Sequence, residues 1–311
     1  MREIGVGVLG FGLATTVFHA PFITAVPGLR LNSIVQRTGE TAAQAYPDAT
    51  ILRSSDALLA QSDIQLVVVA TPNETHFALA RQALEAGKHV VIDKPFAGTS
   101  AQARELIELA HAKSLVLAPF HNRRFDGDFL TVQILLNSGK LGRIATIESH
   151  FDRFRPVPRE GTWKEAANDA NGLLMDLGPH LVDQAVGLFG LPQTITASVR
   201  SDRQDSAIED AFDIALGYAD MIFWCRSSMI AADASPRFLI HGTGGSFKKF
   251  GLDPQEPALV AGARVPALGS SELWLAEDPS AWGTLTLAPN PAEPASLSRS
   301  TLPTEPGDYR R

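Results

Sequence analysis

The sequence predicts an α/β chain in two parts: a doubly wound parallel sheet over residues 1–122, then an α+β domain over 123–311 whose open sheet is mainly antiparallel. Three observations carry this reading. Short β-branched runs alternate with helical patterns as far as residue 120, a Gly10-Phe11-Gly12 turn follows the first of those runs, and strand-like runs succeed one another without helices further on. A length of 311 residues agrees with two domains at roughly 150 residues each.

The first run, 4–9 (IGVGVL), reads as a buried strand, and an apolar helical stretch leads from the glycine turn to a second strand at 29–35 (LRLNSIV), completing a β-α-β unit. A strand at 66–70, a helix at 75–86 stopped by Gly87 and a strand at 89–92 repeat the pattern. Thr99 and Gln102 form a capping box for a helix with Ala103, Leu106, Ile107 and Ala110 on one face, and a strand at 115–118 follows. Past residue 121 the pattern predicts helices at 126–138 and 169–189 and strands at 143–151, 194–200, 210–218, 221–230 and 236–240. From about residue 250 the chain is rich in Pro, Gly and Ala, and the stretch from Pro303 to Arg311 is expected to be irregular.

A formal net charge of -7 gives no positive field to gather a phosphate polymer or an anionic lipid surface, so neither nucleic acid nor membrane is an expected partner. The lone Cys225 cannot form an internal disulfide, the N-terminus lacks the pattern of a signal peptide, and no apolar run reaches the roughly 18 to 20 residues of a membrane helix. A cytoplasmic protein is expected.

Gly10 and Gly12 occupy the first two marks of G-x-G-x-x-G, and Thr15 replaces the third glycine, with Leu13 and Ala14 opening the helix. Gly10 permits the tight turn; Gly12, without a Cβ, lets backbone N–H groups approach a pyrophosphate at the positive end of the helix. The placement after a strand and before a helix is the context in which this motif binds a dinucleotide. Roughly 20 residues on, NAD sites carry an acid for the ribose 2′-hydroxyl. Here the residues are Gln36-Arg37-Thr38-Gly39, and Arg37 with Thr38 suits a 2′-phosphate, so NADP is expected over NAD.

Lys94, in Asp93-Lys94-Pro95, ends the strand 89–92 on the carboxyl edge where open α/β sheets place ligands. Asp176 and His180 stand at i and i+4 on one helical face, with Asp183 seven residues after Asp176, and the Gly178-Pro179 step predicts an interrupted or restarted helix. An imidazole beside a carboxylate is poised to take the proton of an alcohol near neutral pH. His19 and His76 could line a cofactor or serve as structural histidines; His121-Asn122-Arg123-Arg124 could reach a site or form a surface pair. Arg153, Arg155 and Arg159 suit either an anionic substrate or a solvated edge, and His241-Gly242-Thr243-Gly244-Gly245 is read as a hairpin turn in preference to a second phosphate loop.

Taken together and in order, GFGLATTVFHAPF, TPNETH, AGKHVVIDKPFA, HNRRFD and GLLMDLGPHLVDQAVGLFG resemble the Gfo/Idh/MocA family of nicotinamide-dependent oxidoreductases, over nearly the whole chain. The later run FLIHGTGGSFKKFGLDPQEPALVAG looks like the branch that contains scyllo-inositol dehydrogenases and other sugar or polyol dehydrogenases. The resemblance implies a Rossmann domain and an α+β domain whose open sheet often forms an oligomer interface, hence a homodimer or homotetramer. It also implies roles: Lys94 polarises or positions the reacting oxygen, His180 transfers the proton, Asp176 binds substrate and orients His180. Thr71, Pro72, Asn73 and His76 match the loop beside the nicotinamide ribose, and Asn122 a further cofactor or substrate contact. Two departures stand out: Asp93 replaces a more frequent glutamate, and family members usually continue past the 307–311 region through another helical segment.

The expected activity is reversible hydride transfer between NADP, with NAD as the alternative, and a secondary alcohol of a cyclic polyol or sugar. Two other readings are a non-catalytic dinucleotide-binding sensor or corepressor, against which the presence of both Lys94 and His180 argues, and a redox-neutral NAD-dependent glycoside-cleaving enzyme.

Overall fold

The structure is a computed structural model describing residues 3–162, 165–168, 171–272, 274–290, 292–293 and 296–311. The chain forms two compact units. The first comprises residues 1–121, 256–274 and 309–311, the second residues 122–255 and 275–308. The expected division is contiguous, whereas here two late segments belong to the first unit.

The first unit is built on six parallel strands: β1 (Ile4–Leu9), β2 (Leu29–Val35), β3 (Thr50–Leu52), β4 (Leu66–Val69), β5 (His89–Ile92) and β6 (Leu117–Pro119). Their order is β3-β2-β1-β4-β5-β6. The order reverses between β1 and β4, and open sheets of this kind bind ligands outside the carboxyl ends of the strands at that switch. Val6, Val8, Val67, Val69, Val90 and Ile92 are buried, as the near-continuous apolar runs of a sheet covered on both faces require. Helices α1 (Ala20–Ala25), α2 (Thr41–Ala45), α3 (Ser55–Leu59), α4 (His76–Glu85) and α5 (Ser100–Ala112) connect the strands. Thr99 caps α5 by accepting from the Gln102 N–H; Gln102 Oε1 in turn accepts from the Gly98 N–H, one residue ahead of the position a capping box predicts. The sequence reading lacks α2, β3 and α3, each of five residues or fewer.

The second unit holds an eight-stranded sheet: β7 (Ile144–His150), β8 (Thr194–Arg200), β9 (Ala211–Gly217), β10 (Ile222–Ser228), β11 (Phe238–Gly242), β12 (Gly245–Lys249), β13 (Gly283–Leu287) and β14 (Ser298–Leu302). The order is β14-β13-β12-β11-β7-β10-β9-β8, antiparallel throughout except where β10 runs parallel to β7. Helix α6 (Gly127–Asn137) and helix α7 (Leu173–Phe189) cover it, with Leu173, Leu177, Leu181 and Ala185 packed into the core with Phe212 and Phe223. Of the helix expected at 169–189, residues 169 and 170 lie outside the described residues.

One expectation is corrected here. The helix is not interrupted at Gly178-Pro179: α7 runs through Pro179, because tertiary packing of its apolar face outweighs the one hydrogen bond that proline cannot donate. Beyond residue 250 the chain also forms a short helix α8 (Gln255–Val260) and the strands β13, in register with β12, and β14, in register with β13. The stretch after β14 has neither helix nor strand. Thr243-Gly244 is the turn of the β11–β12 hairpin; a Cβ on Gly242 would meet the Leu141 carbonyl oxygen at 2.2 Å and one on Gly245 the Thr286 carbonyl oxygen at 2.4 Å, so these glycines serve close backbone packing.

Candidate active site

In the first unit the carboxyl ends of β1, β2, β4 and β5 lead directly into the residues singled out by the sequence. Gly10 follows β1 with φ +98°, and a Cβ there would meet the Ala70 carbonyl oxygen at 2.5 Å, so only glycine fits the turn. A Cβ on Gly12 would meet nothing within 4 Å: the backbone is open on that side, at the start of the helical run that continues through Leu13 and Ala14, a π-helical turn (Thr15–His19) and α1. An uncluttered glycine at a helix N-terminus fits the pyrophosphate of a dinucleotide. Thr15, at the third mark, is buried, and its hydroxyl donates to the Gly10 carbonyl at 2.9 Å. The bond ties the helical run back to the glycine turn.

Arg37 and Thr38 lie exposed after β2. Arg53, absent from the sequence reading, braces their loop: Nη1 donates to the carbonyls of Gln36 at 3.0 Å and Gly39 at 2.7 Å, and Nη2 pairs with Glu40 at 2.5 Å. Gln36 accepts from the Ala42 N–H and donates to Thr41, fixing the start of α2.

After β4, Thr71, Pro72 and Asn73 form a tight loop in which Thr75 Oγ1 donates to the Pro72 carbonyl at 2.6 Å and lies 2.6 Å from the Thr71 hydroxyl. His76 points inward from it. The side chain is only 1 % exposed, and its ring nitrogens lie 2.8 Å from the Pro95 and Thr71 carbonyl oxygens. Lys94 follows β5, joined to Pro95 by a cis peptide bond, and its N–H donates to Asp93 Oδ1 at 2.7 Å. Burial pushes the Asp93 carboxyl up, but His19, with Nε2 3.7 Å from Oδ2, and the adjacent Lys94 hold it below the ordinary carboxylate range. His19 is buried and packs at a tilt against Phe120 with ring centroids 4.3 Å apart.

In the second unit α7 carries Asp176 and His180 one turn apart. His180 is 5 % exposed and meets the Phe151 ring edge-on at 6.4 Å, while Asp176 Oδ2 lies 3.3 Å from Arg153 Nη1. Glu209, remote in sequence, caps α7: its carbonyl accepts from the Leu173 N–H and its carboxylate, pushed up by burial, from the Leu174 N–H. Asn122 is buried. Arg124 grips Asp183 through two bonds of 2.7 and 2.6 Å, and Arg123 is buried over the Phe151 ring with Asp126 at 3.5 Å. Arg123 is thus buried, whereas Arg124 stays exposed at the surface on its ion pair. Arg159 and the buried Arg203 both face Glu165, at 3.8 and 2.8 Å, and Arg155 is exposed.

The guanidinium of Arg237 lies over the rings of both Phe151 and Phe238, 4.1 and 4.2 Å from their centroids. It donates to Ser149 Oγ and, at 2.8 Å, to Gln184 Oε1, and its Nε lies 3.1 Å from Asp128 Oδ2. Gln184 donates to the Arg123 carbonyl at 2.9 Å. Among the described residues no helix is long and apolar enough to cross a membrane, and no group of three or more His, Cys, Asp or Glu side chains could hold a metal ion.

Comparison with known proteins agrees with this architecture. The model of the oxidoreductase family with an NAD-binding Rossmann fold matches residues 4–121, and that of the GFO/IDH/MocA C-terminal domain matches residues 129–248. The chain is 46% identical over 265 residues to the uncharacterized oxidoreductase YdgJ of Escherichia coli (strain K12), covering 85% of this chain and 76% of that one. It is 34% identical over 306 residues to scyllo-inositol 2-dehydrogenase (NADP(+)) IolW of Bacillus subtilis (strain 168), covering 98% and 83%. A crystal structure of an oxidoreductase from Bacillus cereus superimposes with a TM-score of 0.87 at 34% identity, over 99% of this chain and 86% of that one. With a parallel nucleotide-binding sheet, a second mainly antiparallel sheet and both family models in register, the protein belongs to the Gfo/Idh/MocA family of oxidoreductases.

Proposed function

We propose that the protein is an NADP-dependent dehydrogenase acting on a secondary alcohol of a cyclic polyol or sugar. The observation that carries the reading is α7, where His180 and Asp176 share one helical face and Arg153 pairs with Asp176 at 3.3 Å. The name of the B. subtilis relative supports both the substrate class and the cofactor. Gly10, Gly12, Leu13 and Ala14 would hold the pyrophosphate, Arg37 and Thr38 a 2′-phosphate, and Thr71, Pro72 and Asn73 the nicotinamide ribose. When bound, the nicotinamide supplies a hydride acceptor or donor.

The protein's own part is proton transfer and charge. His180 removes the hydroxyl proton and Asp176 orients it and binds a neighbouring hydroxyl, while the Lys94 ammonium stabilises negative charge growing on the reacting oxygen. General acid–base catalysis contributes about 10²- to 10⁴-fold. His180→Ala and Lys94→Met are each expected to lower kcat by at least about 10²-fold, read as absorbance of reduced nicotinamide with NADP+ or NAD+ and a panel of inositols and aldoses. Turnover of either variant within a few-fold of the parent, or no turnover of any cyclic polyol by the parent, refutes the proposal.

A further inference from the structure

The structure brings the two loops that flank Lys94 onto one buried side chain. Thr71 follows β4 and Pro95 follows β5, and His76 sits with a ring nitrogen 2.8 Å from the carbonyl oxygen of each. A neutral imidazole carries one N–H and an imidazolium two, so in either state at least one of these carbonyls accepts a hydrogen bond. The ring is rigid and its two nitrogens diverge, so the distance between the loops is set by the ring itself. At 1 % exposure His76 offers no edge to a ligand. It therefore reaches a bound dinucleotide through the loops alone.

On the other side of Lys94, the backbone is held by Asp93, whose Oδ1 accepts the Lys94 N–H at 2.7 Å. The lysine thus stands between two fixed points: its own N–H is tied to Asp93, and the carbonyl of the next residue is tied to His76. We propose that His76 is a positioning residue for Lys94: it clamps the Lys94-Pro95 loop to the Thr71 loop and so fixes where the ammonium is presented. The inference rests on the catalytic role proposed for Lys94. A displacement of about 1 Å in a catalytic group costs on the order of 10²-fold in rate.

Hydrogen exchange on the ligand-free protein tests the clamp without substrate. In His76→Phe, which keeps a planar ring and removes both nitrogens, the Lys94 N–H is expected to exchange at least tenfold faster. The Val90 N–H, bonded to the Val116 carbonyl inside the sheet, is expected to change less than twofold. His76→Gln, whose amide can still donate to one carbonyl, is expected to fall between, and it serves if the phenylalanine variant does not fold. Unchanged protection at Lys94, uniform acceleration across the sheet, or failure of the glutamine variant to fold overturns the proposal. With scyllo-inositol and NADP+ as probes, His76→Gln is expected to lower kcat at least tenfold in the parent and to have no further effect in a Lys94→Met background. An equal loss in both backgrounds overturns the positioning role alone. Undiminished turnover by Lys94→Met, or none by the parent, overturns the proposed function and leaves the exchange result to judge the clamp.

Discussion

Arg237→Leu is expected to be the most damaging single change in the second unit. The guanidinium and Asp128 are each 1 % exposed, and the Nε lies 3.1 Å from Asp128 Oδ2 without a well-directed hydrogen bond between them, so the contact is chiefly ionic. Leucine fills part of the space over Phe151 and Phe238 but leaves the Asp128 carboxylate without its buried cation and Gln184 Oε1 without its donor. Breaking a buried pair by removing one partner costs about 3–5 kcal/mol. At roughly 2–4 °C per kcal/mol for a unit of this size, Tm falls by about 6–20 °C. Calorimetry and urea titration would read the loss, with an unchanged urea slope showing that the unfolding unit is the same. Asp128→Asn removes the uncompensated charge, so in that background Arg237→Leu should cost at least about 1 kcal/mol less, within the range of measured coupling energies. A loss below about 1 kcal/mol, or the same loss in both backgrounds, would refute the view that charge pairing rather than packing holds this layer.

Arg37→Ala should weaken NADP binding about 10- to 100-fold, the worth of one or two charge-assisted hydrogen bonds, and leave NAD binding unchanged in calorimetric titration. Asp210 is fully buried; burial pushes its carboxyl up, but Arg203 at 2.8 Å and the Asp202 N–H hold it below the ordinary value of 3.8. The unfolded chain therefore takes up this proton before the native one does, so the stabilisation is complete above the ordinary value and is lost as pH falls through the native one. Urea midpoints measured from pH 6 down to pH 3 should fall less steeply in Asp210→Asn than in the parent. The Cys225 thiol, buried in the sheet and pushed up to about 12 by that burial, should not react with a disulfide reagent at pH 8 until denaturant is added.

What the sequence made legible was local. The strand-to-helix turn at Gly10 and Gly12 and the Asp176–His180 spacing are set by neighbours within a turn or two, and the structure puts both where those patterns predict. The segments it left obscure depend on distant partners. β13 adds to the edge that β12 offers and β14 to the edge of β13, Glu209 reaches α7 across thirty-five residues, and Arg237 meets Asp128 and Gln184 from far along the chain. His76 reads from the sequence as either a cofactor-lining or a structural histidine, and only packing shows the imidazole turned toward Thr71 and Pro95. Arg53 carries no motif at all, yet it shapes the loop on which the expected choice of NADP depends.

Tyr309, nearly at the end of the chain, is buried against Phe18 and Phe22 of the helical run that opens at the glycine turn, with centroids 6.4 and 5.9 Å away, and Arg310 donates to the Pro266 carbonyl. During synthesis, then, the unit that begins first is sealed last. Its aromatic cluster waits for a residue translated some three hundred codons after β1, so a nascent chain that has not yet reached Tyr309 leaves the first unit, not merely the second, unfinished.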